Sequence, residues 1–260
     1  MRRISFAREA SAHGMARGLV LTLAAAAAMA GCAHLRRRPP PPRAATIADR
    51  VARYGPAARG RLLPFFAAAG VPYPPERFLL LGLKQERELQ LYAAGAGQGL
   101  RFIRSFAILG ASGTLGPKLR EGDHQVPEGV YAIDYLNPNS VAHLSLALSY
   151  PNQFDRVQAA EDGRDGGTLG GEIMIHGGSA SIGCLAVGDQ AAEDLFVLAA
   201  DAGWHDAVVV VSPVDFRRAT LPADYRPPVP WVKRLYAWLR TKLHTLPLPP
   251  PAAPIAAGAR

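Results

Sequence analysis

Between residues 78 and 211 the chain is a succession of apolar runs, four to ten residues long, separated by turn formers. That pattern restricts it to a β-rich fold, because most of the runs are too short for helices. Residues 78–83 are continuously apolar and 88–92 alternate, so Lys84 to Arg87 between them fit a hairpin turn. Residues 100–109 read as a further strand, and Gly113, Gly116-Pro117, Gly122-Asp123 and Pro127 then mark turns. Segments 129–136 and 142–150 are strand-like on either side of Asn137-Pro138-Asn139, while the polar, glycine-rich 151–171 reads as a surface loop. A short apolar strand, 172–175, leads into His176. Beyond Cys184 the period lengthens: Asp189 is placed to cap a helix through Ala202 that Gly203 ends, and a buried strand follows at 207–211. The expected class is mainly β with a few helices (α+β).

The flanks differ from this body. Arg2, Arg3, Arg8 and Arg17 precede an apolar run at 19–30 and then Gly31-Cys32, the pattern of a secretory signal. The run is shorter than the roughly 20 residues that a spanning helix needs. Met29-Ala30-Gly31-Cys32 resembles a bacterial lipobox, so residues 1–32 are expected to be a lipoprotein signal with Cys32 as the lipidated residue. Met15 is an alternative start. Ala33 after the cysteine implies an outer-membrane anchor facing the periplasm. Residues 33–45 form an Arg/Pro-rich, extended linker. Residues 46–76 are expected to be mostly helical, broken by Pro56 and Pro64. The tail, 217–260, is basic and Pro-rich, with an amphipathic helix at 231–246 that could lie on a membrane, pack on the body or stay mobile, and a disordered end.

The formal charge of +8 divides unevenly. Residues 1–32 carry +3, the arginines of 33–43 add +4 and 217–260 add +7, which leaves 44–216 at −6. A nucleic-acid-binding domain would concentrate positive charge on its folded face, so nucleic acid is not expected as a partner. With Cys32 committed to the signal, Cys184 has no thiol partner in an oxidising compartment, and an odd exported thiol invites a reactive role. His176 precedes it by eight residues, with only small residues and Ile182 between. Cysteine catalysis needs a thiolate, a base and oxyanion donors. Cys184 is the candidate nucleophile. His176 is the candidate base, able to form an ion pair that lowers the thiol pKa. Gly177, Ser181 and Gly183 form the candidate oxyanion or substrate loop, with backbone N–H groups near Cys184 as donors. No second His/Cys cluster is present, so no metal is expected, and no cofactor.

Ile175-His176-Gly177 with Ser181-Ile182-Gly183-Cys184 resembles the signature of the L,D-transpeptidase (YkuD-type) cysteine enzymes of peptidoglycan. Gly116-Pro117-Lys118 and the segment from Glu121-Gly122-Asp123 to Gly129-Val130-Tyr131 are similar to that family's upstream motif. His143-Leu144-Ser145-Leu146, Tyr150-Pro151-Asn152 and Phe154-Asp155-Arg156 are similar to its shortened-loop, YafK-type subgroup. The resemblance implies a β-sandwich-like catalytic domain at 77–216. It implies attack by Cys184 on the meso-diaminopimelate carbonyl of a stem peptide, a thioester, and transfer to an amine or to water. Peptidoglycan stem peptides are the implied partners, with a wall-attached lipoprotein as a further one and the membrane reached through the lipid anchor. Two positions depart from the pattern: Ile182 replaces a second His, and Ala186 replaces an Arg. Release of a wall-attached lipoprotein by hydrolysis is therefore an alternative to cross-linking, and a non-catalytic wall-binding lipoprotein is a second.

Other residues carry lesser expectations. Tyr150 and Asn152 are candidate substrate contacts, with packing and turn formation as the competing explanations. His143 is expected to be a hydrogen-bonded structural histidine, and His124 an exposed turn residue.

Overall fold

The computed structural model describes residues 43–250. The expected signal segment with Cys32, most of the linker and the end of the tail lie outside the described residues. Thirteen regular α and β elements follow in order: α1 (Ile47–Ala69), β1 (Arg77–Leu83), β2 (Glu88–Ala94), β3 (Arg101–Ala107), β4 (Gly110–Ala111), β5 (Gly129–Asn137), β6 (Ser145–Leu148), α2 (Gln153–Glu161), β7 (Met174–His176), β8 (Leu185–Ala186), α3 (Asp189–Ala202), β9 (Val208–Ser212) and α4 (Val232–His244). The strands form one mixed sheet in the order β3-β2-β1-β9-β5-β6-β7-β8-β4. This is an α+β fold.

Strand β5 joins the two halves of that sheet. Its first residues pair with β9, from Gly129↔Val211 to Ala132↔Val208, and the rest pair with β6, from Ile133↔Leu148 to Asn137↔Ser145. A register shift falls between Ile133 and Tyr135. Such a shift bends a strand and lets it pass from one layer to the next.

The continuous apolar run of β1 needs cover on both faces. Leu80, with Leu89 and Leu91 of β2, shares a core with Leu62 and Phe66 of α1 and Phe196 of α3. Leu79, Leu81 and Leu83 face the other way, into a second cluster closed by Leu235, Leu239 and Leu243 of α4. Each such side chain contributes about 1.5–3 kcal/mol when withdrawn from water. The amphipathic helix of the basic tail is thus a wall of the body, and of the three fates open to it in the sequence, packing is the one adopted.

Three expectations need correction. Helix α1 is unbroken through Pro56 and Pro64. Each proline removes one N–H, but a Thr46–Asp49 capping box and a left-handed Gly70 close the two ends. Ion pairs from Arg59 to Asp201 and from Arg61 to Glu193 and Asp194 tie its middle to α3. The expected loop at 151–171 contains α2, started by a capping box in which Asn152 accepts from Asp155 N–H and Asp155 accepts from Asn152 N–H. Asp189 does not cap α3: the N-cap is Gly188, at φ 81°.

Candidate active site

The site is built where β6, β7 and β8 run side by side. Strand β7 pairs antiparallel with β6, Ser145 opposite His176. It pairs parallel with β8, with Ile175↔Leu185 and His176↔Ala186. Ile175 and Leu185 are fully buried and point to the core. Alternation along a strand then sends His176, and the position in register with Met174, to the opposite face. Cys184 occupies that position, one residue before β8. Imidazole and thiol are therefore borne by neighbouring strands on one face, two residues out of step. At strand spacing and rise their Cβ atoms lie about 8 Å apart, a gap two such side chains can close.

The sulfur is half-buried. It lies 3.6 Å from the carbonyl oxygen of Glu172. Glu172, two residues before β7, takes a left-handed backbone at φ 54°. Burial pushes the thiol pKa up; the Met174 backbone N–H pulls it down, the Glu172 carboxylate raises it, and the Lys118 ammonium lowers it. The balance of these influences favours the protonated sulfur. No hydrogen bond joins Cys184 Sγ to His176 in this arrangement; the sulfur instead faces the Glu172 carbonyl.

The ring of His176 is oriented by its own turn. Nδ1 lies 2.6 Å from the carbonyl oxygen of Gly177. A carbonyl only accepts, so Nδ1 carries the proton and Nε2 is left as the basic nitrogen. Gly177 is packed too tightly for a side chain: a Cβ there would lie 2.6 Å from Asp189 Oδ1 and 2.7 Å from the carbonyl oxygen of Ala142. Asp189 Oδ1 also accepts the Gly178 N–H at 2.8 Å, pinning the turn that holds the histidine. That contact, rather than a cap, is the aspartate's work.

Ser181 organises the loop before the cysteine. Its hydroxyl accepts from the N–H groups of Gly183 (3.3 Å) and Cys184 (3.1 Å) and donates to the Cys184 carbonyl at 2.7 Å. The Ser112 N–H reaches the same oxygen. The donors assigned to an oxyanion are therefore occupied in the resting site. Gly183 sits at φ 132°, a backbone that favours glycine, with Gln125 O 3.6 Å from where a Cβ would be. Ile182, in the place of the second histidine, is 78% exposed and makes the loop tip apolar.

Tyr150 and Asn152 have structural occupations instead of open ones. Tyr150 is buried in the core, its hydroxyl directed at the carbonyls of Lys118 and Leu169. Asn152 caps α2 and donates from Nδ2 to the Val130 carbonyl. The pattern Asn-x-x-Asp is a capping signal that the sequence already contained. His143 pairs with Glu193 at 3.0 Å, and His124 is exposed. Glu172 and Ser112 were not singled out from sequence; nothing local marks them, since their contacts to the cysteine loop are made across the sheet. Among the described residues no group of three His, Cys, Asp or Glu side chains could hold a metal ion, and no helix is long and apolar enough to cross a membrane.

Residues 77–214 match the YkuD family, described as the L,D-transpeptidase catalytic domain. The chain is 36% identical over 115 residues to YafK of Escherichia coli K12, an L,D-transpeptidase by designation, with 44% of this chain and 43% of that protein aligned. The chain thus spans less than half the length of this relative. Among solved structures it is similar to the helical cell shape determining protein Pgp2 of Campylobacter jejuni, at 24% identity and a TM-score of 0.40 over 53% of this chain and 48% of that one. It is also similar to Bd1075 of Bdellovibrio bacteriovorus, at 20% identity and a TM-score of 0.38 over 53% and 48% of the two chains.

Proposed function

The chain belongs to the YkuD family of L,D-transpeptidase catalytic domains, and we propose that it is an exported cysteine acyltransferase acting on peptidoglycan stem peptides in the periplasm. The observation that carries this reading is the parallel register of β7 on β8, which gives His176 and Cys184 one face and neighbouring strands. The fixed tautomer of His176 supports it, since Nε2 is the nitrogen a base must keep free.

His176 Nε2 accepts the Sγ proton as sulfur attacks the carbonyl of the third stem residue, meso-diaminopimelate. The tetrahedral oxyanion collapses to a thioester on Cys184, and the departing amine takes the proton back from the imidazolium. An incoming amine then attacks the thioester, giving up its proton to His176, and the thiol is regenerated. Proton transfer and attack occur together once substrate displaces the thiol from Glu172 O. The same motion frees the Cys184 N–H if Ser181 turns away, supplying the oxyanion donor that the resting site withholds.

Water in place of the amine makes the same enzyme a hydrolase, able to release a wall-attached lipoprotein. Incubation with purified sacculi and with a defined lipoprotein-linked muropeptide separates the two outcomes. New cross-links or exchanged termini mark transfer, and shortened stems mark hydrolysis. Muropeptides identical to those left by Cys184→Ala would refute the catalytic reading. Lipid anchoring at Cys32 to the outer membrane completes the proposal, and loss of palmitate labelling in Cys32→Ala tests it.

A further inference from the structure

A cavity of about 480 Å³ lies beside the site, on the other side of Gln125. Gln125 lines it and also places its carbonyl oxygen against Gly183. Three guanidinium groups from separate parts of the chain border it: Arg120, Arg164 and Arg226. The lining carboxylate, Asp123, is already engaged by Lys118 Nζ at 2.6 Å and by the N–H groups of Leu119, Arg120 and Gln125. Arg164 reaches Asp162 and the Leu119 carbonyl, yet its Nε is enclosed with no acceptor. Arg226 contacts the carbonyls of Ala223 and Tyr225, and neither it nor Arg120 has a carboxylate partner among the described residues. The cavity therefore has an excess of positive charge, carried by Arg120 and Arg226.

Its outer wall belongs to the C-terminal segment beyond residue 214, where the family match ends. Pro228 lies 3.5 Å from the Cβ position of Gly116, and Tyr225 is held by a hydrogen bond to Tyr236, which in turn donates to Glu128. That wall is fixed, so Arg226 is presented from a supported loop.

We propose that this cavity is a binding subsite for a carboxylate of the peptide substrate, gripped by Arg120 and Arg226, with Arg164 bordering it, while the scissile carbonyl reaches Cys184. Guanidinium forks match a planar carboxylate with paired hydrogen bonds, and the volume lies in the range of small-molecule sites. The identity of the peptide rests on the proposed peptidoglycan reading; the anion site rests on the cavity itself.

Binding of a synthetic stem tetrapeptide to the full-length Cys184→Ala protein, measured by calorimetry, tests the proposal without requiring turnover. Arg120→Gln and Arg226→Gln are each expected to weaken binding about tenfold, the scale of a charge-assisted hydrogen bond. The same peptide with amidated carboxylates should bind weakly and equally to all three proteins. Both arginines are exposed, so an unchanged Tm is expected to accompany the loss. Equal affinities across the variants, amide binding as tight as acid, or no measurable binding would overturn the subsite. So would inorganic phosphate competing as tightly as the peptide, which would mark a general anion trap. Turnover with Cys184 intact is scored separately: binding without turnover sinks the catalytic reading alone, and turnover with charge-insensitive binding sinks the subsite alone.

Discussion

At Cys184 two requirements oppose each other. Catalysis needs a thiolate, whereas the sulfur's withdrawal from water and its contact with Glu172 O favour the neutral thiol. The sign is definite: a raised pKa means less thiolate at neutral pH, so resting reactivity should climb only as the solution becomes alkaline. Alkylation of the substrate-free protein by iodoacetamide is expected to show its midpoint above that of free cysteine, about 8.5. A midpoint below 8 would instead signal a preformed pair with His176. At this scale the sequence was informative about placement and silent about surroundings. The spacing of His176 and Cys184 was legible because parallel strands bring their ends together. The thiol's surroundings were not, because Glu172 and Met174 reach it from the segment that enters β7.

At the scale of elements, α2 shows how a polar run becomes a helix. Asn152 and Asp155 exchange caps, which sets the first turn despite a poorly apolar face. Asp155 is itself burdened by this position: burial lifts its pKa to about 6, against the Asn152 N–H and nearby arginines. Between pH 4 and 6 the folded state therefore holds a proton that the unfolded chain has lost, so stability falls as pH rises through that window. The loss should be on the order of 1–3 kcal/mol. Asp155→Asn keeps an acceptor for the Asn152 N–H and removes the titration. Urea unfolding across pH 4–6 should be flatter in this variant than in the parent, and an identical slope would contradict the assignment. Helix α1 was legible from Thr46 and its apolar spacing. Its survival through two prolines was not, because the ion pairs to α3 that hold it are long-range.

Across the whole molecule, the buried pair of Lys84 and Glu128 links regions that are distant in sequence. Lys84, in the β1–β2 turn, lies 2.9 Å from Glu128 and donates to the carbonyls of Gly116 and Val126. Glu128 also accepts from the Gly116 N–H and from Tyr236 of α4. Hairpin, motif segment and C-terminal helix thus meet at one carboxylate. Lys84→Met should cost about 3–5 kcal/mol, because it leaves that carboxylate buried without its cation. Adding Glu128→Gln should restore part of the loss, and a single-mutant cost below about 1 kcal/mol would show that the pair is not structural. The division of charge into an acidic body and basic arms was correct as arithmetic and misleading as anatomy. Residues 232–244 belong to the body, and the hint lay in β1, whose unbroken apolar run demanded a second cover that the sequence alone could not assign to α4.

The central claim is that Cys184 carries an acyl group during turnover. Intact-mass measurement of the full chain, quenched within seconds of mixing with a stem tetrapeptide, tests it most directly. The predicted result is an adduct equal to the peptide less its terminal residue, mapped to Cys184, absent from Cys184→Ala and formed at least about 100-fold more slowly by His176→Gln. An unmodified protein alongside converted peptide, or an adduct on any other residue, would contradict it.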